Sequence, residues 1–384
     1  MGQVISAVPG CQKRKAHIEM DMSKMLGAQD WIKWFIGISE RELISERREA
    51  VFDGSSFVNL STGQKWQAGK FERKTIQELQ EDTGKMKVEG EMVERVPLLR
   101  VIDGCDIGDL QAKLKTEHRA MVQIASNFNC LENPSRGCLP DYGSLVEKYC
   151  VDSTQGPAAS FGVPAASLLR AHYAFFDSSK PASSWGQTKD QQVDLLRRVQ
   201  HYFGTCVNGK ATLTGAEEQL PDEKIDEVFE QIEVGIHSDA EVIFGRGPSW
   251  DRAVNILDEK PLVDQVLSAS VNWNSPCLSR AEVVDETKLL PLTRAALRAA
   301  YRGAYLAAIA RGRHLLLLTL IGGGVFSNPH DMILEELALA HARYAQHHAS
   351  ELREVRLCLY PKGTAAPIEK KLKQLLADLG YAPA

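Results

Sequence analysis

The stretch CLPDYGSLVEKYCVDSTQGPAAS places Asp141 and Asp152 on either side of a short strand-like segment. Two carboxylates are what cleavage of an N-glycosidic bond needs. One steadies positive charge at the anomeric carbon or activates water, and the other holds the leaving group. Asp152 is followed by a polar turn containing Gln155, a possible pocket residue, so it can also act simply as the N-cap of the next apolar segment. Glu132 is a further acid nearby; it reads either as a pocket wall or, more plainly, as a solvated loop charge. His237, Asp239 and Glu241 in GIHSDAEV are possible pocket residues, with a satisfied histidine at a strand end as the ordinary alternative.

A second group of residues suits binding. Leu315 to Ile321 is apolar apart from Thr319 and runs into Gly322, Gly323 and Gly324, then Val325, Phe326, Ser327, Asn328 and Pro329. A strand, a glycine turn and a helix start form a general site for a diphosphate, because backbone N–H groups and the helix dipole face the anion. Three glycines in a row read as serving no packing purpose, although a tight strand-to-helix turn without ligand has the same pattern. The dinucleotide fingerprint G-x-G-x-x-G fails, since Ser327 and Asn328 stand where the last glycine is required; G-K-[ST] is absent. Asn127 and Asn129 follow the short apolar strand Met121 to Ala125. Their amides can bond a sugar hydroxyl in both directions, or they can close an Asx turn.

The elements that must position these residues follow from periodicity. Trp31, Trp34, Phe35 and Ile38 have helical spacing. Residues 52–72 read as a small hairpin or as strands with loops, 74–82 as a short helix and 94–103 as a strand. Residues 157–176 and 193–203 read as helices, separated by a linker-like stretch over 177–192. Residues 233–244 read as an interrupted strand, and 262–273 as a strand or a partly helical segment. A long alanine-rich helix over 291–311, the strand at Leu315, a helix over 331–352, the strand EVRLCLY and a helix over 368–380 complete the chain. The strand at Leu315 is apolar on both faces and should be central. The expected fold is therefore α/β, with three α/β/α layers, ligands binding at the carboxyl edge of the parallel strands. Residues 1–20 read as a flexible tail, 21–93 as an N-terminal helical and hairpin extension, and 94–384 as the main domain.

These pieces resemble a macrodomain, the ADP-ribose-binding mixed-sheet fold. The chain is most similar to the poly(ADP-ribose) glycohydrolase-like macrodomains, and within them to arginine-specific ADP-ribosyl hydrolases. The resemblance is carried by QIASNFNCLE, DSTQGPA, VGIHSDAEV, LSASVNW and TLIGGGVFSNP. It implies that Gly322 to Asn328 hold the diphosphate, with Phe326 near the distal ribose, and that Asn127 and Asn129 meet that ribose. It also implies that Asp152 and Asp141 surround the arginine-linked carbon. Glu335 and Glu336 follow the glycines without the glutamine of the chain-cleaving signature, which argues against poly(ADP-ribose) cleavage. Asp109 in the Gly-Asp-Leu at 108–110 is similar to the adenine-binding aspartate of simpler macrodomains. The activity implied is hydrolysis of mono-ADP-ribose from protein arginine, with no cofactor and no metal. The alternatives are a non-catalytic ADP-ribose reader and a lipid-anchored interaction protein.

Composition narrows the partners. The chain has 384 residues, 44% apolar and 25% charged, and a net charge of -5, so nothing global asks for nucleic acid. No apolar run is long enough to span a bilayer. Eight scattered cysteines fit no zinc spacing and read as reduced thiols of a cytoplasmic protein. MGQVIS places Gly2 and Ser6 as N-myristoylation does. Cys11 or the basic Lys13, Arg14 and Lys15 would be the second signal for peripheral membrane attachment.

Overall fold

The structure is a computed structural model that describes residues 25–26, 31–86, 97–133, 139–152, 154–246, 254–274, 286–344, 347–360 and 362–381. The lipidation site expected at Gly2, with Cys11 and the basic cluster, lies outside the described residues. No helix among the described residues is long and apolar enough to cross a membrane.

Seven strands form the main sheet: β1 (Lys70–Thr75), β2 (Leu98–Asp103), β3 (Ala120–Ala125), β4 (Glu233–Glu241), β5 (Leu262–Ser268), β6 (Leu315–Leu318) and β7 (Glu354–Leu359). Their spatial order is β1-β4-β5-β3-β6-β7-β2. The run from β5 to β2 is parallel throughout, while β4 is antiparallel to both β5 and β1. The α-helices of six or more residues among the described residues are α1 (Trp31–Ile36), α2 (Ile76–Gly84), α3 (Ile107–Ala112), α4 (Gln155–Gly162), α5 (Pro164–His172), α6 (Ile225–Gln231), α7 (Glu286–Ala310), α8 (His330–Tyr344) and α9 (Ala365–Asp378).

Strand alternation assigns the two helical layers. Val234 of β4 meets Gly303 of α7, where an added methyl would crowd it. His237, of opposite parity on the same strand, turns instead to Arg170 of α5. The expected three-layer α/β/α arrangement around a mixed sheet is therefore present. The four leucines of β6 are all buried, as a strand covered on both faces requires.

Several local expectations are corrected. Strand β1 falls inside the segment read as an extension, yet it is an edge of the main sheet, and α2 packs Ile76 and Leu79 into the main core. Edge position explains why KFERKT shows no apolar run. Helix α2 is started by Thr75, whose Oγ1 accepts from the Glu78 N–H at 3.1 Å while Glu78 Oε2 accepts from the Thr75 N–H at 2.8 Å. Such a cap contributes about 1 kcal/mol. The helix expected over 157–176 is two helices, broken at Val163 where Pro164 begins α5. Residues 193–203 are helical only at Gln200–Phe203. The segment between Asp141 and Asp152 is no strand; it contains 3-10 turns at Pro140–Tyr142 and Glu147–Val151.

A second apolar core lies beside the sheet. There Trp31, Phe35, Phe57 and Trp66 of the N-terminal segment pack against Tyr149, Phe161, Tyr173 and Phe244. Trp31 meets Phe161 and Phe244 edge-on, with centroids 5.5 and 5.7 Å apart. The extension thus holds the two helices α4 and α5 and the loop that carries Asp152.

Candidate functional site

Parallel strands deliver their carboxyl ends to one edge, and the asparagine loop, Glu132 and the glycine turn follow strands that end there. Strand β3 is central, with β5 and β6 on either side. Strand spacing is about 5 Å, so the three exits lie side by side.

The β6 exit is the glycine turn. Gly322 has φ +76°, and a methyl there would overlap the Asn328 side chain and crowd Ser270. Contrary to expectation, this first glycine has a packing role: it admits Asn328. The Asn328 amide is buried and donates to Val271 O at 2.7 Å, so it braces the turn from within. Gly323 is crowded by Leu320 and Ile333, whereas a methyl on Gly324 would meet nothing within 4 Å. The fold therefore does not need the third glycine. The N–H groups of Gly324, Val325 and Phe326 donate to no acceptor among the described residues. Val325 is 64% exposed, and Phe326 is half-buried.

The β5 exit holds the turn from outside. Trp273 N–H donates to Phe326 O at 3.0 Å. Asn274 Nδ2 donates to Val325 O and to Ser327 Oγ, the latter at 2.8 Å. Ser327 itself has φ +54°, a left-handed conformation unusual for serine. Around this turn, Ser268 Oγ, Ser270 Oγ, Thr319 Oγ1 and Asn328 Oδ1 are buried and have no hydrogen-bond partner among the described residues. Buried polar atoms are normally paired, so four orphans at the two strand exits that flank β3 mark a place where another polar group belongs.

The β3 exit is the asparagine loop. Asn127 is 5% exposed and donates to Leu131 O at 3.0 Å. Asn129 is fully buried: its Oδ1 accepts from Leu131 N–H at 3.2 Å and its Nδ2 donates to Gln192 Oε1 at 3.2 Å. Both amides thus close the turn; the fully committed one is Asn129. The 177–192 stretch, which reads as a linker, is a brace for this loop. Gln187 is buried and donates to both Asn129 O and Arg170 O at 2.9 Å.

Glu132 ends the loop, and its reading as a solvated charge is overturned. It is 7% exposed, and burial pushes its carboxyl well above the ordinary carboxylate range; Arg170 opposes that shift and Asp152 reinforces it. Ser160 Oγ donates to Glu132 Oε1 at 3.4 Å. Oε2 lies against the backbone of Gly156 at the start of α4, where a methyl would overlap both it and the Ala125 carbonyl. Gly156 is what lets α4 approach the end of β3.

Asp152 stands at the entrance of the same helix, half-buried. Its Oδ1 accepts from Thr154 N–H at 2.9 Å and from Thr154 Oγ1 at 2.6 Å. The structure thus brings Asp152 and Glu132 together. Asp141 is held differently: its Oδ2 accepts from Lys189 N–H at 3.4 Å, and its charge acts on Arg48. Gln155 spans from α4 to the β2 exit, accepting from Ile107 N–H at 2.8 Å and donating to Cys105 O at 3.2 Å. Asp106, not Asp109, is the turn carboxylate there, capping α3 through Gly108 N–H at 2.8 Å.

His237 and Asp239 are corrected. His237 is fully buried in mid-strand; burial holds its pKa at about 3, and Nε2 contacts Ala68 O at 2.7 Å. It is a satisfied interior histidine. Because β4 runs antiparallel to β5, Asp239 and Glu241 lie at the opposite edge of the sheet, where Asp239 pairs with Arg311 at 3.6 Å. Glu335 and Glu336 form ion pairs with Arg294 at 3.1 and 3.0 Å.

Sequence reasoning missed Arg170, Ser160 and Tyr149. Arg170 is fully buried and donates to Ser160 Oγ at 3.3 Å, Ser167 Oγ at 3.2 Å and Gln265 Oε1 at 3.1 Å. The signal was a lone arginine among small and apolar residues in AASLLRAHYAFF. Tyr149 is buried, and its hydroxyl accepts from Glu132 N–H at 3.0 Å. Among the described residues, no group of three or more His, Cys, Asp or Glu is arranged to hold a metal ion.

No protein-family profile matches the chain, and no curated protein matches it. Among solved structures it is similar to a poly(ADP-ribose) glycohydrolase from Deinococcus radiodurans in complex with ADP-ribose. The identity is 14% and the TM-score 0.46, over 80% of this chain and 95% of that one. It is also similar to a poly(ADP-ribose) glycohydrolase from Thermomonospora curvata, at 13% identity and TM-score 0.41, over 88% and 98% of the two chains. The form of the latter bound to the inhibitor ADP-HPD gives 13% and 0.41 over 87% and 98%.

Proposed function

We propose that the protein is an ADP-ribosyl hydrolase that removes mono-ADP-ribose from arginine side chains of proteins. The observation that carries this is a buried Glu132, its carboxyl pushed well above the ordinary carboxylate range, beside Asp152 and one strand away from a turn whose N–H groups at 324–326 donate to no acceptor among the described residues. The motif resemblance supplies the ligand, ADP-ribose. The turn's N–H groups and the hydroxyls around it that have no partner among the described residues suit a diphosphate and its sugars.

Two carboxyl groups in different environments divide acid and base work. In the proposed reaction the bond from the anomeric carbon to the guanidine nitrogen breaks, and its electron pair leaves with nitrogen. Glu132, kept protonated by burial, gives its proton to that nitrogen. Asp152 holds the guanidinium beforehand, steadies the positive charge that develops on the sugar, and takes a proton from the attacking water. Asp141 belongs to the proposal as a further contact for the guanidinium.

The test is a linkage panel: arginine-, serine-, glutamate- and nucleic-acid-linked ADP-ribose, with released ADP-ribose as readout. Release from arginine alone is expected. Binding of ADP-ribose without release from any linkage sinks the hydrolase and favours a non-catalytic reader. One observation favours that second reading: Asp152 Oδ1 is already occupied by Thr154. Asp152→Ala separates the two, since a hydrolase loses turnover while retaining affinity.

A further inference from the structure

Among its described residues, the loop that carries Asp152 has no regular secondary structure except its short 3-10 turns, yet its reactive end must be placed accurately. What places it is a buried carboxylate from the N-terminal segment. Glu40 is fully buried. Its Oε1 accepts from Val146 N–H at 3.1 Å and meets His172 Nε2 at 2.9 Å, and its Oε2 accepts from Glu147 N–H at 2.9 Å. Those two N–H groups open the turn Glu147–Val151, which leads directly into Asp152. Trp31 Nε1 pins the same turn by donating to Glu147 O at 3.0 Å. At Gly143 the loop and the segment nearly touch backbone to backbone, since a methyl there would lie 2.8 Å from Arg41 Cα. From the turn, Tyr149 reaches the Glu132 N–H.

We propose that Glu40 is a positioning residue for the reaction centre, holding the Asp152 loop at the distance from Glu132 that turnover requires. This rests on the hydrolase reading above. A buried polar side chain is a poor device for stability alone, because its desolvation cost offsets what its partners return. Its directional hydrogen bonds are instead well suited to fixing geometry. Apolar packing from Phe35 and Ile36 would anchor the segment equally well but would leave the loop free to slide.

The experiment compares wild type with Glu40→Gln, which keeps the shape but offers one acceptor oxygen where two are used. On arginine-ADP-ribosylated protein, kcat is expected to fall about tenfold to a hundredfold, with KM and affinity for free ADP-ribose within about twofold. Unchanged kcat in folded Glu40→Gln overturns the proposal, as does a parallel loss of ADP-ribose affinity. Amide hydrogen exchange is measured on the same samples. Faster exchange over 145–152 with unaltered exchange over 322–328 supports the clamp; unaltered exchange in both segments overturns it. Wild type inactive on every linkage would sink the hydrolase reading, and exchange then decides the clamp alone. Where Glu40→Gln yields no folded protein, Trp31→Phe removes one pin on the same turn. A smaller kcat loss with faster exchange over 145–152 is expected of it, and no change in either overturns the proposal.

Discussion

Gly322 and Asn328 occupy each other's space: the asparagine amide fills the volume that any side chain at position 322 would need. Gly322→Ala must therefore displace Asn328 and adopt a φ of +76° with a Cβ, which costs at least about 2 kcal/mol. Gly324 has neither constraint. Gly324→Ala is expected to melt within about 1 °C of wild type, since nothing buried changes, yet to bind ADP-ribose about tenfold more weakly because a methyl stands among the free N–H groups. Calorimetric titration beside thermal melting checks both. Equal affinity for Gly324→Ala and wild type would remove the turn from the ligand site.

Glu132 makes stability depend on pH in a sign that can be worked out. Its folded pKa is raised above the ordinary 4.5. As pH rises past that value the unfolded chain ionises this residue freely while the folded chain resists, so the wild type loses stability. Glu132→Gln lacks this loss. Its melting temperature relative to wild type should climb as pH rises from 4 towards the folded pKa and then level off. A difference that does not vary with pH would mean that Glu132 is not held protonated. In turnover, the variant should lose the alkaline fall in rate that a required acid produces.

His237 acts in the opposite window. With a folded pKa near 3 against an ordinary 6.5, it stays neutral in the fold. Unfolding therefore gains a proton as pH drops below 6.5, and stability is lost progressively down to about 3. Activity between pH 7 and 8 should not depend on its titration. Nuclear magnetic resonance of the imidazole, titrated downward from pH 7, checks this; a midpoint near 6.5 would contradict the burial of the ring.

Asn274 holds the outer side of the glycine turn through Val325 O and Ser327 Oγ. Asn274→Ala is expected to leave melting almost unchanged, because the residue is surface-placed. The ADP-ribose dissociation constant should rise by about tenfold, the equivalent of about 1.4 kcal/mol, as the turn loses its pre-set shape. An unchanged dissociation constant would show that Trp273 alone suffices.

Legibility followed local pattern. The all-apolar β6, the glycine turn and the long helix α7 could be read directly, because run length and turn chemistry are local properties. Strand β1 could not, because KFERKT takes its place by pairing with a strand more than 150 residues later. The burial of Glu132, which decides between its two readings, is illegible for the same reason. Its burial comes from Gly156, Ser160 and Arg170, all of which follow it in the chain. The asparagines were read correctly as ending a strand, but a sequence does not show which amides the turn consumes. His237 lies in a strand whose direction decides what stands beside it, and direction is a property of the sheet.

The strand order has a consequence for synthesis. Met121 and Val122 of β3 lie between β5 and β6, so the centre of the sheet stays without neighbours until residues 262–268 and 315–318 have left the ribosome. Residues 31–66 emerge first, but their partners Phe161, Tyr173 and Phe244 come far later. A nascent chain stalled before Leu315 would present β3 as a bare apolar edge. Such stalled chains should be the form that chaperones hold and proteases clear.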